Sequence, residues 1–261
     1  MDQVFSLEGS ANPVMESSAL CAAAKLVSSL GDNETAERYS LKSLKIAREM
    51  GDQHGIARAL NSLGATLEAR GNGKKAEEIY SESLKIYRDL RVQQAIAGTL
   101  VNLANIEAEN GDIEIADNML NEALKSFKLV GDSVGEIHVL HAIARIALIR
   151  NDGRLAESQL KIAFEMAWDL SAKEELTRTY LLLARTFAIN KKWVSYLKMA
   201  ARVEQATLRY NLPLTSSEKL LLKELTNTAK NALDQTKFKQ AWRDGENSSE
   251  IELKWDDLVE N

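Results

Sequence analysis

The chain has 261 residues, 45% of them hydrophobic and 27% charged, with a net charge of −5 and an isoelectric point near 5.5. This balance fits a folded, soluble chain and excludes a general electrostatic attraction to nucleic acid or anionic membrane. Cys21 is the sole cysteine, which excludes an internal disulfide and a multi-cysteine metal site; no apolar run reaches membrane-spanning length, and Met1 to Ser10 lacks the basic start of a secretory signal.

A cytoplasmic location is therefore expected. Taken in chain order, residues 1–16 mix Gly, Asn, Pro and Ser without a helical period and read as a flexible N-terminal segment. From Ser17 to Tyr210 a two-residue signal recurs every 40 residues: Gly31-Asp32, Gly71-Asn72, Gly111-Asp112 and Asn151-Asp152. Gly or Asn accepts the left-handed backbone that closes a helix, and the Asp or Asn that follows can cap the next one. Halfway between lie Gly51-Asp52 and Gly131-Asp132, with Arg91-Val92 and Ser171-Ala172 in the same register. The spacing predicts five helix pairs over 17–210, each helix of about 17 residues.

Columns at the 40-residue interval support this reading. Ala24, Gly64, Ala104, Ala144 and Ala184 keep one position small in the first helices; Ala36, Ala76, Ala116 and Ala156 do so in the second helices, until Tyr196 breaks the series. A third column holds Ser43, Ser83, Ala123 and Ala163. Large residues flank them, Leu20, Leu60, Leu100, Leu140 and Tyr180 among others, as interdigitating layers require.

The period fails at Asn211, and residues 211–261 read as capping helices with an acidic tail. Thr215 and Glu218 form a candidate capping box. Asp234 could open a further helix that Gly245 would end, Ser249 with Glu252 could open another, and Trp242, Trp255 and Leu258 are candidate anchors.

These columns, with Leu63-Gly64, Leu103-Ala104, Ile143-Ala144 and Leu183-Ala184 in the first helices and Ala76 followed by Tyr80 in the second, resemble the tetratricopeptide repeat in a long variant of about 40 residues. The family's usual Trp and terminal Pro are absent. The resemblance implies an all-α, right-handed superhelical solenoid of antiparallel helix pairs. Two stretches, "GDQHGIARALNSLGATLEARGN" over 51–72 and the tail residues Phe238, Ala241, Trp242 and Gly245, are similar to the C-terminal repeat regions of bacterial signal-transduction ATPases and MalT/LuxR-type transcriptional regulators.

The sequence carries little chemistry. No phosphate-loop motif exists, since Gly71-Asn72-Gly73-Lys74 sits in a helix hinge, and every helix pair is consumed by the repeat, which leaves no separate DNA-reading module. His138 and His141 stand at i, i+3 without an evident third metal ligand, Cys21 lies in an Ala-rich helix, and Glu77-Glu78 and Glu174-Glu175 read as solvated faces. No cofactor, metal or enzymatic activity is expected.

In the resembling family the first helices line the concave surface. The columns facing it would hold Arg58, Asn61, Asn105, His138, His141, Arg145, Arg178 and Arg185, a donor-rich set on a net-acidic chain. Their spacing does not reproduce the Lys/Asn/Arg carboxylate clamp of chaperone-binding relatives. The expectation is a non-catalytic interaction module, an adaptor, scaffold or sensor array in bacterial signalling. Its partner would be a protein or extended, acidic peptide, with no direct nucleic-acid or membrane binding. The alternative is a ligand-responsive domain that binds a short peptide or small metabolite.

Overall fold

The computed structural model describes residues 12–210, 212, 214–247 and 255. Among the described residues there is no strand, and the helices follow one another as α1 (Pro13–Ser29), α2 (Asn33–Glu49), α3 (Gln53–Ala69), α4 (Gly73–Leu90), α5 (Gln93–Asn110), α6 (Ile113–Val130), α7 (Ser133–Ile149), α8 (Gly153–Asp169), α9 (Lys173–Ile189), α10 (Trp193–Tyr210), α11 (Ser216–Ala232) and α12 (Gln235–Asn247). This is an all-α fold of consecutive helix pairs, of the tetratricopeptide-like solenoid type. The chain forms two compact units that divide inside α5, after Ile106. In the first, α1 packs on α2, α3 on α4, and α3 on both α1 and α2; in the second, α6 through α10 pack in succession, and α10 also carries α11 and α12.

The hinges follow a stricter rule than the sequence indicated. Gly31, Gly51, Gly71, Arg91, Gly111, Gly131, Asn151, Ser171 and Lys191 all have positive φ, one every 20 residues. At each, the next residue's N–H bonds a carbonyl five residues back, from Asp32 to Val27 at 3.0 Å through to Lys192 to Phe187 at 2.8 Å. This is the Schellman closure of a helix C-terminus. Asp32, Asp52, Asp132 and Asp152 then cap the following helices through their side chains, whereas Asn72 and Asp112 make no such bond. The left-handed region costs an ordinary residue about 1–2 kcal/mol, so Ser171→Gly, at φ 52°, is expected to raise stability by about 0.5–1 kcal/mol after the added freedom of the unfolded chain is subtracted. The urea midpoint checks this, with Asn151→Gly gaining less because Asn tolerates the conformation.

The small columns are buried throughout, and their chemistry varies with the neighbour. Ser83 Oγ donates to the Ala57 carbonyl at 2.7 Å and Ser43 Oγ to that of Ser17 at 2.8 Å, the same 26-residue offset in consecutive pairs. Tyr196 breaks its alanine column where α10 meets the cap: its ring is fully buried and its hydroxyl donates to the Leu222 carbonyl of α11 at 2.9 Å.

Both ends of the array differ from the sequence reading. Helix α1 opens at Pro13, because Asn12 Oδ1 accepts the Val14 N–H at 3.0 Å and proline suits the first helical position, where no N–H is needed. Glu16 thus lies within α1 and pairs with Lys42 at 2.9 Å. The Thr215 and Glu218 capping box forms as expected. Gly245 does not end a helix; it lies inside α12, buried, where an added Cβ would stand 2.5 Å from the Lys198 carbonyl oxygen of α10. Ala241 is buried on the same helix, so small residues seat α12 on α10, while half-exposed Trp242 stacks on Phe238. Trp255 packs against Phe164 at 6.0 Å; Ser249, Glu252 and Leu258 lie outside the described residues.

Candidate functional site

The first helices of the fourth and fifth pairs, α7 and α9, pack side by side in the second unit. The 40-residue register puts Arg178 in the column of His138 and Arg185 in that of Arg145. Five of the eight expected residues, His138, His141, Arg145, Arg178 and Arg185, are therefore carried by two adjacent first helices. The other three belong to the first unit. There, Arg58 Nη2 donates to Ser18 Oγ at 2.7 Å, and Thr99 Oγ1 donates to Asn61 Oδ1 at 3.3 Å, so both tie one first helix to the next. Asn105 stands half-buried in α5.

The residue that organises the second-unit cluster is one the sequence reading placed on a solvated face. Glu175 is only 5% exposed. Neighbouring helical residues point about 100° apart, so Glu174 faces outward and accepts from Arg178 at 2.8 Å while Glu175 turns toward α7. His138 Nε2 lies 2.9 Å from Glu175 Oε1 and donates to it. Thr179 Oγ1 donates to the Glu175 backbone carbonyl at 2.8 Å, and that hydroxyl oxygen is then the acceptor for His141 Nε2–H, also at 2.8 Å. Neutral His141 consequently turns the lone pair of Nδ1 toward Glu175 Oε2, 3.6 Å away. Two acceptors face each other, and Oε2 has no hydrogen-bond partner.

Burial pushes His141 down to about 3, against the attraction of Glu175 and with the help of His138, Arg178 and Arg145. The contact with Glu175 is therefore not an ion pair at neutral pH. Burial alone would raise the Glu175 carboxyl, but the hydrogen bond from His138 and the nearby positive charges hold it below the ordinary carboxylate range. Burial, and then the like charge of Arg145, depress Arg185, with Glu218 of α11 acting oppositely. Arg145 reaches Glu109 only at 3.9 Å. The column thus places a second cation, Arg145, where it disfavours the charge of Arg185.

The arrangement orients charge rather than activating a nucleophile, since the Thr179 proton is committed to a backbone carbonyl. Among the described residues no group of three or more His, Cys, Asp or Glu side chains is arranged to hold a metal ion. Sequence reasoning missed Glu175 and Thr179. The signal for Glu175 was its column: Gly55, Ala95 and Gly135 precede it, and a carboxylate among small residues marks a local departure from the repeat.

Residues 16–89 match the tetratricopeptide repeat family. Among curated proteins none matches the chain. Among solved structures, a Rap protein complexed with competence and sporulation factor superposes with a TM-score of 0.75 at 11% identity, over 92% of this chain and 66% of that one. The apo form of RapI gives 0.59 at 17% identity, over 92% and 89%, and BtubC from P. vanneervenii gives 0.59 at 19%, over 78% and 84%. At these identities the likeness is one of fold, and the chain spans 66% of the length of the first Rap protein. No helix among the described residues is long and apolar enough to cross a membrane.

Proposed function

We propose that the chain is a non-catalytic protein-interaction module whose α7 and α9 surface docks an acidic, extended segment of a partner protein. The observation that carries this reading is Arg185 beside Arg145: burial and the like charge of Arg145 disfavour the Arg185 cation, and an anionic ligand between the two would relieve it. On the same two helices Glu175 fixes His138. Arg58, Asn61 and Asn105 are proposed as a separate partner-binding set in the first unit. The repeat array of residues 17–210 is the binding part and residues 211–261 its cap. The similarity of residues 51–72 and of the tail to regulatory repeat regions favours a cytoplasmic role in bacterial signalling.

The test is binding of a labelled extended peptide of alternating Glu and Leu, followed by anisotropy. Arg145→Glu with Arg185→Glu is expected to weaken binding roughly tenfold or more, about 1.4 kcal/mol, and to flatten its salt dependence while leaving helicity unchanged. Equal binding by both forms rejects this surface. A second reading, a domain that responds to a short peptide or small metabolite, is favoured by the fold's likeness to a Rap protein crystallised with competence and sporulation factor. A thermal-shift screen of peptide and metabolite pools separates the two, because a specific ligand raises the melting temperature by mass action.

A further inference from the structure

Helix α1 exposes a face that every later first helix buries. Its residue Ala19 is exposed and Leu26 is 56% exposed, yet the equivalents Ala59, Thr99, Val139 and Thr179 are all 0% exposed, and Thr66, Ile106, Ile146 and Thr186 are at most 2%. What covers these columns elsewhere is the preceding pair: Thr99 reaches Asn61, Thr179 receives His141, and Ser62, the equivalent of Ala22, meets Ser40 at 2.9 Å. On α1 and its C-terminal cap the open positions Met15, Ala19, Ala22, Leu26 and Leu30 follow an i, i+4, i+7, i+11, i+15 spacing and form one apolar stripe.

We infer that this stripe is the contact between two copies of the chain, α1 against α1 about a two-fold axis. At the other end α10 is covered by α11 and α12, with Tyr196, Ala229, Ala241 and Gly245 buried there, so the face on which a further helix pair would stack is occupied. The stripe is also complementary to itself. Antiparallel pairing about the midpoint between Ala22 and Ala23 sets Ala19 across from Leu26 and Met15 across from Leu30, so that bulk meets a gap at the centre. The charged residues of α1, Glu16 and Lys25, fall opposite Ser29 and Leu20, so no like charges confront each other, and Glu16 is already paired with Lys42. A helix of this length runs only about 25 Å, short of the ~800 Å² per partner of a standard stable interface, so the dimer is weak and concentration-dependent.

Sedimentation velocity of the full chain over a concentration series is the test. A sedimentation coefficient that rises from monomer to dimer is expected, with Leu26→Glu abolishing the rise at unchanged helicity and melting temperature. Independently, Ala22→Cys should form a disulfide-linked dimer under mild oxidation, whereas native Cys21, which is buried, should not. A chain that stays monomeric at every concentration, or dimerises only after residues 1–11 are removed, overturns the inference, as does a dimer that Leu26→Glu leaves intact.

Discussion

Gly64→Val is expected to destabilise the first unit by about 3 kcal/mol or more, read as a fall in the urea midpoint. A Cβ at this position would stand 2.6 Å from Cε1 and 2.7 Å from Cδ1 of the Tyr80 ring, which is fully buried and donates its hydroxyl to Glu68 at 3.0 Å. The ring has nowhere to retreat without losing that bond. Other pairs keep Ala104 and Ala144 in the same column because Leu120 and Leu160 occupy the place of Tyr80. The milder Gly64→Ala should cost less, since the clash is partly offset by about 1 kcal/mol of helix propensity, and adding Tyr80→Leu should restore the Ala/Leu pairing and recover much of the loss. If Gly64→Val melts with the wild type, the two helices are not in contact there.

The second large effect is a loss of stability in acid that traces to His141. Its folded pKa of about 3 lies below the unfolded value near 6.5, so between these values the unfolded chain binds a proton that the folded chain refuses. Stability is therefore full above pH 6.5 and falls as the pH drops toward 3. By pH 5 the His141 share lost, relative to alkaline pH, comes to about 2 kcal/mol. Glu175, held low, acts in the same direction at lower pH, its contribution being lost as the pH falls through its folded value. The groups facing His141 are His138 and Arg145 of α7 and Glu175 and Arg178 of α9, and the burial of His141 outweighs the one attraction among them. Replacing His141 by Gln, which can still bond Thr179, should remove most of the slope between pH 7 and 5 in denaturant titrations. An unchanged slope would mean that His141 is protonated in the folded chain and donates to Glu175 Oε2.

What could be read from the sequence depended on whether a residue type has one physical role or several. The glycine hinges were legible because a left-handed helix end has few solutions, and Arg91 and Ser171 followed from register alone. Lys191 completes the 20-residue series but was silent, since lysine carries no left-handed preference. Gly245 misled because glycine both ends helices and admits a close neighbour; inside α12 it does the second. Five of the candidate groove residues fall together because they share columns. Glu175 was hidden by its neighbour: in one dimension Glu174-Glu175 is an acidic pair, and only the helix rotation sends one carboxylate to solvent and the other into α7.

The most direct test of the proposed docking surface is hydrogen exchange of the full chain with and without a saturating acidic peptide. The account predicts slowed exchange in α7 and α9, centred on the stretches from His138 to Arg145 and from Arg178 to Arg185, and no change in the second helices α8 and α10. Protection confined to α8 and α10, or bound peptide with no protection in α7 and α9, would contradict it.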